Sequence, residues 1–464
     1  MNASSCNHCA GLSRSRLLHA AAAEAGRGLP MIEPGMPLPA GTGLSRRSFL
    51  AQSLGAMLAV YGSSRLGLSA LEEGIAAAAG GAAQPVLVSV FLEGGADALS
   101  VLSPQGDPLY RKLRPKLALS GGPVLAEDDR LHWHPAANGL TQLYGEKKVT
   151  VMPAVGYTNA DQSHFTSRHY WEVGATSANI RTGWLGRYLD RVGTMDNPLQ
   201  GLSLDSTLAP ALATGRVPVA SIDGPDQYDF WSNRVWGEVE TRMLAAIGAL
   251  GAPGAGAGDP AFAAAAGVSA QVDRLRNQLL PFHGTDGSPA YTSPVQYPSS
   301  KDSFPKRLAG LAAMIGAGLP LRVVALTAPG EYDTHSNQAG ALAEGLQMTS
   351  DSLLAFQRDL ESRGLADRVL VHVWSEFGRR AGENGSAGTD HGAAGIGFLI
   401  GTRANGKMVG EFPGLTSGLD DDGNVNATSD FRGVYAGLLE QWLGTDAGAV
   451  IPDAGSFTRP VLVK

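Results

Sequence analysis

The chain is punctuated by short, unbroken runs of β-branched and apolar residues, each ending at a turn rich in Gly or in acidic side chains. Val86–Leu92 reads Val-Leu-Val-Ser-Val-Phe-Leu and stops at Glu93-Gly94-Gly95-Ala96-Asp97. Val149–Val155 stops at Gly156-Tyr157, Arg322–Thr327 at Ala328-Pro329-Gly330, Val369–Trp374 at Ser375-Glu376, and Ile396–Ile400 at Gly401. These runs do not alternate apolar with polar residues, so they suit strands buried on both faces. Helical patterns lie between them at 135–144, 183–191, 303–317, 340–362 and 430–443. Strands alternating with helices predict an α/β fold with a mostly parallel central sheet and helices on both faces.

Two stretches interrupt this order. Residues 248–267 are nearly all Gly, Ala and Pro, and residues 284–300 are rich in Gly, Pro, Ser, Thr and Tyr, with a helical segment near 271–280 between them. The sheet resumes afterwards, so they read as a Gly/Ala/Pro-rich surface insertion at about 245–300, within a single domain at 85–464. Residues 1–84 read as an address. Arg46-Arg47 stands in Ser-Arg-Arg-Ser-Phe-Leu ahead of the apolar stretch 49–61, and the small-residue run 76–83 follows. That layout predicts a twin-arginine signal peptide, with the twin-arginine translocase as partner and a periplasmic, envelope or extracellular destination. An amphipathic helix with a chance Arg pair is the other reading. Cys6 and Cys9 are the only cysteines and lie in this leader, so a chain cut after it uses neither disulfides nor thiol chemistry.

Composition removes further classes. Hydrophobic residues make up 44 %, enough for a core, and charged residues only 17 %. A net charge of −7 offers no basic footprint for nucleic acid. No apolar run reaches the roughly 20 residues of a permanent membrane span.

Ligands of open α/β sheets sit beyond the carboxyl ends of the strands, and the reactive side chains of this chain gather there. Asp97 follows the first run, Ser163 and His164 the second, Asp333 and His335 the third, and Glu376 the fourth, while Asp390 and His391 precede the fifth. Carboxylates and imidazoles on one rim are what a borderline divalent cation needs. Each also has a plain structural reading. Asp97 and Ser163 suit helix caps, Glu376 suits a pair with Arg379 or Arg380, and the Asp390 carboxylate suits fixing an imidazole tautomer. His164 and Arg168 stand four apart on one helix face, able to hold an anion or to be solvated.

The motifs Leu-Glu-Gly-Gly-Ala-Asp (92–97), Ser-His-Phe (163–165), Gly-Trp-Leu-Gly-Arg-Tyr-Leu (183–189), Asp-Thr-His (333–335), Ser-Glu-Phe-Gly-Arg (375–379), Gly-Thr-Asp-His-Gly (388–392) and Asp-Phe-Arg (430–432) occur in this order. With the leader, they resemble the exported bacterial family called domain of unknown function 1501, over nearly all of 85–464. That family in turn resembles the alkaline phosphatase superfamily, which includes sulfatases and cofactor-independent phosphoglycerate mutases. The resemblance implies an alkaline phosphatase-like fold and divalent metal (Zn, Mn, Mg or Ca). It also implies Asp97 as first metal ligand, Ser163 as nucleophile, Asp333 with His335 as the Asp–His pair, and Asp390-His391 as the dipeptide ligands. No His follows His391, where the superfamily has a last ligand, so one metal, or a second site completed by His164 or Glu376, fits better.

The expected function is therefore metal-dependent hydrolysis of phosphate or sulfate esters outside the cytoplasm. Ser163 or a water would be the nucleophile, His164 would stand beside it, and Arg168 would clamp an anionic small-molecule or polymer ester. The alternative is an exported binding or assembly protein that keeps the fold without turnover. An oxidoreductase finds no dinucleotide fingerprint or cysteine cluster.

Overall fold

The computed structural model describes residues 84–227, 260–284 and 288–464, with the strand at 58–61 and scattered residues between 238 and 249. Of the expected leader only Leu58–Tyr61, which form a strand of the main sheet, and Gln84 are described; Arg46, Arg47, the other leader residues and part of the expected insertion lie outside the described residues. The described strands, in chain order, are β1 (Leu58–Tyr61), β2 (Val86–Phe91), β3 (Leu102–Ser103), β4 (Val124–Leu125), β5 (Asp128–Trp133) and β6 (Val149–Gly156). They continue with β7 (Gly201–Ser203), β8 (Val219–Ile222), β9 (Val323–Thr327), β10 (Val369–Trp374), β11 (Gly395–Ile400) and β12 (Ser429–Asp430).

The main sheet has the order β1-β8-β7-β9-β2-β10-β11-β6-β12, and β3, β5 and β4 form a small antiparallel sheet beside it. From β8 through β7, β9 and β2 to β10 every pairing is parallel. β11 runs antiparallel to both β10 and β6, and β1 runs antiparallel to β8. The predicted mostly parallel sheet is present, with the fifth expected strand reversed. That reversal matters for the site. Two antiparallel pairings separate β6 from β10, so both point the same way. The carboxyl ends of β2, β6, β9 and β10 and the amino end of β11 therefore share one edge.

Both faces of the sheet are covered, as the unbroken apolar runs require. Val86, Val88 and Val90 of β2 enter one core with Leu140 and Leu143, Leu308 and Leu311, and Leu346 and Phe356, which come from the helices Asn138–Gly145, Phe304–Gly316 and Gln338–Ser362. Leu87 and Phe91 enter the other with Trp171, Leu185, Tyr188 and Leu438, from the helices His164–Val173, Trp184–Val192 and Phe431–Gln441. Each such side chain contributes about 1.5–3 kcal/mol by leaving water.

Two local expectations change. The helix expected near 271–280 spans Pro260–Leu279. Its first two turns use the alanines of the low-complexity stretch, because Ala is the best helix former and Pro is tolerated at a helix start. β7 and β8 went unpredicted because runs of three and four residues carry too little pattern. Among the described residues no helix is long and apolar enough to cross a membrane.

Candidate functional site

Three turns of the shared edge bring together His164, Asp333 and His391. One ligand atom from each lies within 4.8 Å of the other two. Asp333 Oδ1 is 3.4 Å from His164 Nε2 and 3.4 Å from His391 Nε2. A third ring joins from one side: His335 Nε2 is 3.1 Å from Asp333 Oδ1 and 2.9 Å from His391 Nε2. Ligand atoms around a tetrahedral zinc, bonded at about 2.0–2.1 Å, stand about 3.3 Å apart, so these spacings match a coordination shell.

The outer nitrogens determine the tautomers. His164 Nδ1 lies 2.7 Å from Glu376 Oε1, and His391 Nδ1 lies 2.8 Å from the Gln162 carbonyl. Both partners only accept, so each Nδ1 carries the proton and each Nε2 of a neutral ring keeps its lone pair. His164 Nε2 is buried and has no hydrogen-bond partner. Burial lowers the His164 pKa, but the bond to Glu376 with the charges of Glu376 and Asp333 outweighs it, so its net shift is upward. His391 shifts down, first through burial and then through His164 and Arg379. Burial pushes the Asp333 carboxyl up, but Arg379 outweighs it and holds the group at about 2. An ionised carboxylate facing inward lone pairs is a cation-type donor set, and the buried, partnerless nitrogen is what an ion there would satisfy.

Glu376, expected as a ligand, stands behind His164, bonded to its Nδ1. Besides His164, its carboxylate accepts from the amides of Gly94 (3.0 Å) and Gly95 (3.1 Å). Those amides can face it because the turn after β2 runs through left-handed backbone, φ 116° at Gly94 and 70° at Gly95, which glycine adopts without penalty. Asp390 is likewise an outer partner: its Oδ1 lies 3.4 Å from His335 Nδ1 and accepts from Asn384 Nδ2 at 3.0 Å. Gly388 serves close approach, since a Cβ there would come within 2.2 Å of the His335 carbonyl carbon.

Asp97 does not join the cluster. It is fully buried, and its two oxygens accept from Arg114 at 2.5 and 2.9 Å, from Ser100 at 2.7 Å and from Gln338 at 2.5 Å. Oδ1 also caps the helix Ala98–Val101 through the Leu99 amide. A carboxylate so fully bonded has no lone pair to offer a metal. Gln338 passes the constraint on, because its Oε1 accepts from Thr334 and Thr389, the neighbours of Asp333 and Asp390.

Ser163 occupies the N-cap of the helix His164–Val173 without a side-chain capping bond, and among the described residues no base is hydrogen-bonded to its hydroxyl. Arg168 lines the cleft beside the cluster, as expected of an anion clamp, but is already paired: Nε donates to Glu172 at 2.8 Å and Nη1 to Glu93. The cleft measures about 430 Å³. Arg379 was visible in the sequence only as a partner for Glu376. It is instead fully buried, bonding Asp333 at 2.6 Å and the carbonyls of Gly94, Gly95, Tyr332 and Thr389. Those acceptors come from three distant turns, which no local pattern announces.

Solved structures similar to this chain include the lipoteichoic acid synthase LtaP from Listeria monocytogenes, at 11 % identity and a TM-score of 0.34, covering 80 % of this chain and 75 % of that one. The PsFucS1 sulfatase from Pseudoalteromonas sp. is similar at 11 % identity and a TM-score of 0.35, covering 84 % and 76 %. The C-terminal periplasmic domain of EcEptC from Escherichia coli, in complex with Zn, is similar at 8 % identity and a TM-score of 0.35, covering 86 % and 91 %. No curated protein matches the sequence. The family described as "Protein of unknown function (DUF1501)" matches residues 151–431, more than half of the chain, and the chain belongs to that family.

Proposed function

We propose that this protein is a metal-dependent hydrolase of phosphate or sulfate esters, exported by the twin-arginine route, with one divalent cation held by His164, Asp333 and His391. The observation that carries the reading is the convergence of two Nε2 lone pairs and an ionised carboxylate oxygen, with both Nδ1 atoms tied back to Glu376 and Gln162. Outer-shell partners of this kind orient metal-binding histidines. Two imidazoles and a carboxylate suit zinc better than Mg or Ca, which prefer all-oxygen sets. Such a cation would polarise a phosphoryl or sulfuryl oxygen and make water a better nucleophile.

The chain's own residues divide the remaining work. Glu376 and the Gly94–Gly95 amides fix the His164 ring. Arg379 balances the charge of Asp333 and ties its turn to the β2 turn. His335, held by Asp390, flanks the open side of the group. Ser163 has no base beside it, which leaves its hydroxyl only the cation as activator; water on that cation is the nucleophile in this reading.

The test is to load the purified protein with Zn²⁺, Mn²⁺, Mg²⁺ or Ca²⁺ and screen chromogenic phosphate and sulfate esters. Hydrolysis that disappears in His391→Ala supports the reading. Metal binding without turnover on any ester would favour the exported binding protein. Replacing Arg46 and Arg47 with Lys should leave the protein in the cytoplasm with its leader uncut, and normal export of that variant would remove the twin-arginine assignment.

A further inference from the structure

The cleft beside the histidine group carries more negative charge than an anionic substrate would welcome. Glu93 and Glu331 line it and are both exposed. Arg168 is the cation on its wall outside the histidine group, and its charge is spent on Glu93 and on the buried Glu172. Its guanidinium also lies over the Phe91 ring, 4.7 Å from the centroid. Two lining carboxylates against one guanidinium, itself shared with the buried Glu172, leave this part of the cleft negative. Phe165 lines the same cleft and is one of the few large apolar side chains on the surface, 36 % exposed. An aromatic ring together with exposed carboxylates is the chemistry that recognises an ammonium group.

We infer that the cleft selects zwitterionic esters, phosphate or sulfate esters whose organic part carries an ammonium group. The ester's anion would lie at the His164–Asp333–His391 end and the ammonium toward Glu93, Glu331 and Phe165. The anion's placement rests on the hydrolase reading above, while the ammonium subsite does not. The same charges explain why Arg168 is a poor clamp for a purely anionic ester: Glu93 would have to release it first.

The experiment has two arms. In the first, the full chain without added metal is titrated calorimetrically with tetramethylammonium chloride, against sodium chloride at matched ionic strength. Saturable tetramethylammonium binding is expected, weakened about tenfold or more by combined Glu93→Gln and Glu331→Gln, and separately by Phe165→Ala. No saturable binding, or binding that both sets leave unchanged, overturns the inference. In the second, the Zn²⁺-loaded protein is offered para-nitrophenyl phosphorylcholine and bis(para-nitrophenyl) phosphate, two diesters that differ in the ammonium. The zwitterion should have the higher kcat/KM, and the double Gln variant should shift preference toward the anion by releasing Arg168. Equal or reversed preference in the wild type overturns the inference and leaves the hydrolase reading standing. Turnover of neither ester, with tetramethylammonium still bound, counts against the hydrolase reading and supports the subsite.

Discussion

Asp97 and Asp333 follow neighbouring strands of one sheet edge, β2 and β9, and each faces an arginine at hydrogen-bond distance. Asp97 is fully buried and both its oxygens are used. Burial pushes its carboxyl up, and Arg114 with Ser100 and Gln338 more than reverses that, holding it below the usual carboxylate range. Around Asp333, which is 39 % exposed, one arginine is joined by three imidazole nitrogens, of which His164 Nε2 has no hydrogen-bond partner. A buried polar group that is fully satisfied specifies a scaffold. A half-exposed one that leaves donor atoms facing a common point is built for something that is not part of the chain.

That contrast is sharpest when each half is broken in turn. Arg114→Met should strand a buried carboxylate and cost about 3–5 kcal/mol of folding stability, measured by urea denaturation. His391→Ala in the metal-free protein should cost less than about 1 kcal/mol. If both variants lost the same stability, the division into scaffold and site would fall.

Acid should unfold the scaffold from within. Burial pushes His372 on β10 down to about 3 and His169 down to about 4. Both groups are neutral in the folded state and have depressed pKa values. Their stabilising contribution is complete above the ordinary histidine pKa of about 6.5, and it is lost as pH falls toward those values, at up to about 1.4 kcal/mol per pH unit for each. Urea midpoints measured from pH 7 to pH 4 should drop with that slope, and His372→Gln should flatten it. A pH-independent midpoint would contradict the burial assigned to these rings.

Glu376→Gln tests the outer shell. The amide can still accept from the Gly94 and Gly95 backbone but cannot hold the His164 ring as a carboxylate does. Zinc affinity should fall about 10- to 100-fold, with binding retained. Complete loss would make Glu376 a direct ligand, as the sequence alone had suggested. The smallest effect is expected at Ser163→Ala, where ester hydrolysis should persist. Its abolition with metal still bound would restore Ser163 as nucleophile.

Much of the fold was readable before any coordinates, and the reason is physical. β2, β6, β9 and β10 announce themselves because strands covered on both faces are apolar throughout. The site was readable as a rim but not as a set of roles. Asp97, Glu376 and Asp390 looked like ligands because each stands on a turn beside a strand. What separates them is which donors take up their oxygens: Arg114 for Asp97 and the Gly94 and Gly95 amides for Glu376, while Asp390 gives only Oδ1 to Asn384. The Gly94 contact with Glu376 spans 282 residues of sequence. In the sequence His164 reads both as a neighbour of Ser163 and as a side chain that could complete a metal site, and its buried, partnerless Nε2 favours the second.

Isothermal titration of Zn²⁺ into the metal-free chain, repeated with His164→Ala and His391→Ala, bears on all of this at once. A single ion should bind per wild-type chain, and each variant should weaken binding by about a hundredfold or more while its metal-free unfolding curve stays close to wild type. Zinc that fails to bind the wild type, or that binds both variants as tightly, would contradict a metal centre built on His164, Asp333 and His391.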